Sequence, residues 1–244
     1  MIGEELEGVW HILLKDLKAY YFKPPNISWG ILFSLVLALA FTLRNPAGLS
    51  ELSPGLIAMA ALFGTTSMEA IVITFEKRVG ALERLIMAPV SLVTILVGKV
   101  LGGAIFGLVI AGVMTLISLL FLNAAVTYPF LFAVVLLLTV LALSALGALV
   151  AVSVKEVFEA QTLSNYFRFP MVFVCGVFIP VEAMPLPVQA IAHLLPLTYS
   201  VDAFRQTLIG NLNQFMVLRD LAALIFFLIG FMMLARRLLK KSLE

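Results

Sequence analysis

Charge is what this chain has least of. Only 12% of its 244 residues are Asp, Glu, Lys or Arg, against roughly 25% in a soluble domain. It has one cysteine, Cys175, which lies in an apolar run, so no disulfide can form within the chain. There are two histidines. His193 has no Cys or acid at ligand spacing, and His11 falls on a polar helix face, so neither points to a metal. No phosphate loop is present: Gly98-Lys99 is the nearest fragment, and it lacks the first glycine and the hydroxyl residue. His-Glu-x-x-His and Gly-x-Ser-x-Gly are also missing. Catalytic, cofactor-binding and metal-binding residues are therefore expected to be none. The N-terminus lacks a basic start leading into an apolar core, so no cleavable signal peptide is expected. A net charge of +2 gives no case for nucleic acid.

Apolar sequence is what remains: 62% of residues are hydrophobic. Several runs reach about 17 residues, enough to cross a bilayer core of roughly 30 Å. Short alternating segments of the transmembrane-barrel kind are absent. The expected class is an all-α integral membrane protein. Six transmembrane helices are expected, over 27–43, 55–75, 92–122, 129–154, 161–179 and 216–235. Lys15, Lys18, Lys23, Lys77, Arg78, Arg84, Lys155, Arg236, Arg237, Lys240 and Lys241 then fall on one side, with Lys99 able to snorkel to it. Arg44, Arg205 and Arg219 fall on the other. This asymmetry predicts a multi-pass protein of the cell membrane with both termini in the cytoplasm.

Residues 4–22 read as an amphipathic helix. Leu6, Val9, Trp10, Leu13, Leu14, Leu17 and Tyr21 share one face, and Glu4, Glu7, His11, Lys15 and Lys18 the other. A helix lying in the membrane interface is favoured over one packed on protein, because a span follows at once. Between spans five and six, Pro180, Pro185, Pro187 and Pro196 break the external connection into pieces. A short helix around Val188, Ile191, Ala192 and Leu195 and a second over 199–209 are expected to re-enter the outer leaflet or pack on the spans.

Residues 76–89 hold five of the scarce charges: Glu76, Lys77, Arg78, Glu83 and Arg84. No two are three or four apart, so a helix here could not pair them internally. Such a surface suits docking. An ordinary solvated loop satisfies the same spacing. Glu69 lies deep in span two beside Thr65, Thr66 and Ser67, and an acid there is a functional candidate by default. Arg168 in span five is its candidate partner, making an intramembrane polar site. In span three, Gly98/Gly102 and Gly103/Gly107 are small-x-x-x-small pairs that let helix backbones approach. They serve packing within the chain or, alternatively, a dimer seam.

Two ordered motifs carry a family resemblance. The first is Glu76-Lys77-Arg78-x-Gly80-x-Leu82-Glu83-Arg84-Leu85, then Ala88-Pro89-Val90-Ser91 and Gly98-Lys99. The second is Phe169-Pro170-Met171, Cys175-Gly176-Val177-Phe178-Ile179-Pro180, Met184-Pro185, Leu195-Pro196-Leu197-Thr198-Tyr199 and Asp202-x-x-Arg205. Together they resemble ABC-2 type permeases, the membrane subunits of ATP-binding-cassette exporters of the drug-resistance or polysaccharide-export type. Ala81 stands where the family usually has Thr. The resemblance implies one transmembrane domain over 1–244: an interfacial helix at 1–26, a bundle at 27–235 and a basic tail at 236–244. It implies a homodimer, or a heterodimer with a similar subunit, docked on two copies of an ABC ATPase that binds the ATP and Mg. This chain itself would be no enzyme. It marks Glu76, Lys77, Arg78, Glu83, Arg84, Leu85 and Pro89 as the ATPase-coupling element. A lipophilic, drug-like or lipid substrate is expected, with a polysaccharide or lipid-linked glycan as the alternative. A proton- or ion-coupled secondary transporter using Glu69 is the alternative of another class.

Overall fold

The computed structural model describes residues 2–24, 26–28, 49–210 and 212–241, together with 32, 36, 39 and 40. The described residues are helical, with no strand among them. Helix α1 spans Ile2–Asp16 and runs on as a π-helical turn, Leu17–Tyr21. It is followed by α2 (Leu49–Arg78), α3 (Ala81–Ile86), α4 (Leu92–Phe121), α5 (Pro129–Ser153) and α6 (Val157–Val174). A 3₁₀ turn at Val181–Ala183 leads to α7 (Leu186–Ala192), α8 (Pro196–Ile209) and α9 (Gln214–Lys241).

Local chemistry sets the boundaries. Ser91 caps α4, its hydroxyl accepting the Thr94 N–H at 3.1 Å. Pro129 opens α5, where a missing N–H costs nothing. A reciprocal capping box of Glu156 and Glu159 opens α6. Its backbone N–H donors hold the Glu159 carboxyl below the ordinary carboxylate value. Gly80, at φ 68°, separates α2 from α3. Residues 76–89 are thus two helices with a left-handed hinge, and not one helical surface.

Four described helices, α2, α4, α5 and α9, are long and apolar enough to cross a membrane. Most of the expected span at 27–43 lies outside the described residues. The expected fifth span is represented by α6, which is 18 residues long and carries Gln161, Asn165 and Arg168. That polarity keeps it below what a simple apolar span requires. The last helix continues through the basic residues to Lys241 instead of ending at 235.

Helix α2 is the centre, packed on α4, α5, α6 and α8. In its most apolar stretch 78% of residues are buried, against 17% in α9, whose apolar side chains are mostly turned outward. An apolar cluster at one end joins Ile12 of α1, Leu82 of α3, Val152 of α5 and Leu239 of α9. It gathers α1, the 76–89 stretch and the basic end of α9 at the same end of the bundle. Toward the other end, Leu197, Val201, Phe204 and Leu208 of α8 are buried with Leu122 and Phe132.

Small residues position α4 between its neighbours. A side chain at Gly98 would meet Ile12, and one at Gly102 would meet Tyr21, both from α1 and its π turn. On the other side, one at Gly103 would overlap the Glu69 carboxylate and the Ser144 hydroxyl, and one at Gly107 would overlap Thr65. The four glycines therefore seat α4 within the chain, against α1 on one side and α2 on the other. In lipid, such close approach replaces the hydrophobic drive that soluble cores use. Gly103→Ala is expected to lower stability by about 1–3 kcal/mol through overpacking. Gly112→Ala meets nothing within 4 Å, and is expected to be neutral or to gain up to about 1 kcal/mol of helix propensity. Thermal unfolding of the two variants in detergent is the comparison that checks this.

Candidate coupling face and buried ionic cluster

Lys99 of α4 is 1% exposed. It does not snorkel to the surface. Its ammonium donates to Asp16 Oδ2 at 2.7 Å and also to the Glu76 carboxylate. Both acids are fully buried. Lys15 closes the group from its half-exposed edge, 2.5 Å from Glu76 and 3.1 Å from Asp16. Two ammonium and two carboxylate groups thus balance where water is excluded. An isolated charge at this position would be costly, and partners from α1 and α2 remove the need for it to reach water. Burial still pushes the Asp16 carboxyl above its ordinary value, against the pull of Lys99.

The same junction continues in both directions along α1 and α4. Glu5 of α1 accepts from the backbone N–H and hydroxyl of Ser91 and from the Thr94 hydroxyl. A carboxylate therefore sits at the positive end of α4. Further along, Tyr21 donates to Glu69 Oε2, while Glu69 Oε1 is buried with no partner among the described residues. Helix α1 is thus packed along the first turns of α4. Ile12, Leu13, Asp16 and Tyr21 face the protein, and Leu6 and Trp10 stay exposed. The sequence stripe put Leu6 and Trp10 on the same apolar face as Leu13 and Tyr21. Close contact with α4 divides that face between protein and surroundings.

Glu69 and Arg168, the two polar candidates within the spans, have different partners. Glu69 packs against Gly103 and Gly147, on the side of α2 that meets α4 and α5. Arg168 lies against a different side of α2, its guanidinium 4.8 Å from the Phe63 ring centre. It donates to Asn165 Oδ1 and the Ser164 carbonyl. Sequence spacing could not foresee this, because it fixes neither the rotation of α2 nor that of α6.

The residues expected to couple to an ATPase divide into two groups. Glu76 is turned inward, into the ionic cluster. Lys77 donates to the Val154 carbonyl at 3.0 Å, and Arg78 lies 3.9 Å from Glu156. These contacts tie the end of α2 to the turn between α5 and α6. Beyond Gly80, Glu83 and Arg84 are exposed, Leu85 is half-buried and Pro89 is exposed. Among the described residues Arg84 bonds only to the carbonyls of Gly80 and Val79. Glu83 has no ion pair among the described residues. Met87 at 77% and Val79 at 46% exposure flank them. The available face is therefore carried by α3 and its flanks, with Leu82 buried as its anchor.

Asp16, Lys15 and Tyr21 were missed by sequence reasoning. One signal was available: a lone Lys99 inside a long apolar run demands an acid from somewhere. Replacing it tests the cluster. Lys99→Met leaves Asp16 and Glu76 with only the half-exposed Lys15, a loss expected to cost about 3 kcal/mol or more. Against an Ile12→Cys background, maleimide labelling should rise from near zero to extensive in Lys99→Met and stay low in the surface control Lys18→Met. Unchanged labelling and unchanged thermal unfolding would contradict the role of Lys99 as the clasp.

Comparison with known proteins agrees with the ordered motifs. The sequence model of the ABC-2 type transporter family matches residues 7–209. The inner membrane transport permease YadH of Escherichia coli strain K12 is 28% identical over 189 residues, covering 78% of this chain and 73% of that protein. Nodulation protein J of Rhizobium leguminosarum bv. viciae is 39% identical over 54 residues, 19% of this chain and 21% of that one. The family match runs from α1 to the end of α8 and includes the buried cluster, the hinge at Gly80 and the exposed face of α3. This chain belongs to the ABC-2 type transporter family.

Proposed function

We propose that the chain is the permease subunit of an ATP-driven exporter and receives its energy from a separate ATPase through α3 and its flanks. The observation that supports this most directly is the pair of unpaired charges, Glu83 and Arg84, set beside exposed Met87 and Val79. Protein docking sites combine apolar anchors with charges that await partners.

In this reading two copies of the chain form the translocation path, each docked on one ATPase on the cytoplasmic side. ATP and Mg are bound there and not in this chain. Both termini are cytoplasmic, in keeping with the grouping of α1, α3 and the basic end of α9 at one end of the bundle. Coupling requires a surface whose contacts differ between the two ATPase states. The α3 face can be pushed as a unit, because Leu82 anchors it and the end of α2 is held by Glu76, Lys77 and Arg78. The substrate is a lipophilic, drug-like or lipid molecule.

The double charge reversal Glu83→Arg with Arg84→Glu is expected to leave insertion and dimer formation intact. ATP-dependent transport in vesicles should fall at least tenfold while the ATPase continues to hydrolyse ATP. Full transport after the reversal would remove the coupling assignment. Transport by the wild-type chain on a proton gradient, without its ATPase, would overturn the exporter reading and favour Glu69 as an ion site.

A further inference from the structure

Arg168 lacks the charge partner that its burial demands. It is 2% exposed and about 11 residues, roughly 16 Å of helix, beyond the start of α6. No carboxylate faces it among the described residues, and the sequence has no Asp or Glu anywhere between Asp16 and Glu51 to supply one from the first span. A guanidinium has five N–H donors. Here the Nε–H and one on Nη2 are used, both on neutral acceptors of its own helix. The rest have no acceptor among the described residues.

These donors border a cavity of about 370 Å³ between α2, α4 and α6. Its polar lining includes Asn26, Ser67 and, from α6, Gln161, Asn165 and Arg168, the last three at i, i+4 and i+7 along one side of that helix. Asn165 gives its oxygen to Arg168, which leaves its NH₂ free to donate. Gln161 Oε1 is buried and has no partner among the described residues, so this amide is not committed to them through its oxygen. The opposite wall is Phe63, Met68, Ile71, Phe106 and Ile110. The Arg168 guanidinium lies 4.8 Å from the Phe63 ring centre, so the cation and the apolar wall meet at this cavity.

We propose that this cavity takes the acidic head of an amphiphile, a phosphate or carboxylate attached to an apolar body, with Arg168 as its counter-ion. The proposal rests on the exporter reading only in calling that amphiphile a substrate or a lipid cofactor of transport; binding itself needs no ATPase. A fork of guanidinium donors matches the two oxygens of a carboxylate or phosphate. The Asn165 NH₂ adds a neutral donor, and the apolar wall receives the body. Burial of the ion pair at this depth removes the cost of an unpaired Arg in hydrocarbon surroundings. A free inorganic anion would satisfy Arg168 and leave the apolar wall unused, so the amphiphile is the better match.

The experiment uses the full chain in phosphatidylcholine nanodiscs and a diazirine-bearing hexadecyl phosphate, compared with the neutral hexadecanol of the same design. Labelled peptides are mapped by mass spectrometry. The phosphate probe is expected to label 63–71 and 157–174 at least tenfold more than the alcohol. Millimolar inorganic phosphate should not displace it. Arg168→Gln is expected to reduce labelling at least tenfold and Arg168→Lys to restore part of it. Met68→Trp, which fills the cavity without touching the charge, should also suppress labelling. Equal labelling by acid and alcohol in the wild type would overturn the proposal, whatever the fate of the variants. So would full displacement by inorganic phosphate, which would identify a free-anion site. Loss of acid selectivity with ATP-driven transport intact would defeat this site alone. Selective labelling with transport that ignores ATP would defeat the exporter reading and leave the site standing.

Discussion

The contact on which the rest depends is Lys99 held between Asp16 and Glu76. Three helices meet there, from sequence positions as far apart as 83 residues. Lipid offers no hydrophobic force to press α1, α2 and α4 together. Charge supplies a reason for each to find the others, because none of the three ionised groups is tolerable alone. Specificity follows from the same cost. A rotated α4 would bury Lys99 without an acid, and a displaced α1 would take Asp16 from Lys99 and Lys15 from Glu76. Close packing at Gly98, Gly102, Gly103 and Gly107 then fixes the distance at which these groups meet.

This arrangement changes what the charged stretch at 76–89 is for. Its first part is internal structure: Glu76 locks α2 to α4 and α1, and Lys77 and Arg78 reach the α5–α6 turn. Its second part, beyond the Gly80 hinge, is surface. A push delivered to α3 is therefore delivered, through Leu82 and the end of α2, to a junction already braced by ion pairs. From there α2 carries it along the centre of the bundle, past Glu69 and Thr65, to the walls of the Arg168 cavity. The proposed docking face and the proposed head-group site share one helix as their link.

Much of the class was legible in the sequence. Long apolar runs announced membrane helices, and α2, α4, α5 and α9 begin and end within a few residues of the expected spans at most boundaries. The helix pieces at α7 and α8 followed from proline punctuation. What was not legible was rotation. Periodicity says which residues share a face, and not what covers it, so the stripe of α1 did not show that Ile12 and Leu13 pack on protein while Leu6 and Trp10 stay exposed. The i,i+3 and i,i+4 rules describe pairs inside one helix, so Glu76 read as a free charge although its partners lie 23 and 61 positions away. Gly80 was visible as a glycine, but only its left-handed conformation shows that the stretch is divided. Glu69 and Arg168 are each legible as ionisable groups within spans, but whether they meet is not, because two such groups on neighbouring helices still need matching orientations.

The central claim is that α1, the end of α2 with α3, and the start of α4 move as one body. Spin labels at Leu6→Cys, Met87→Cys and Leu186→Cys would test it by pulsed electron paramagnetic resonance on the chain with its ATPase, nucleotide-free and ATP-trapped. All three side chains are exposed. The account predicts that the Leu6–Met87 separation stays the same in both states while the separation of each from Leu186 changes. A Leu6–Met87 distance that changes as much as the other two would contradict it.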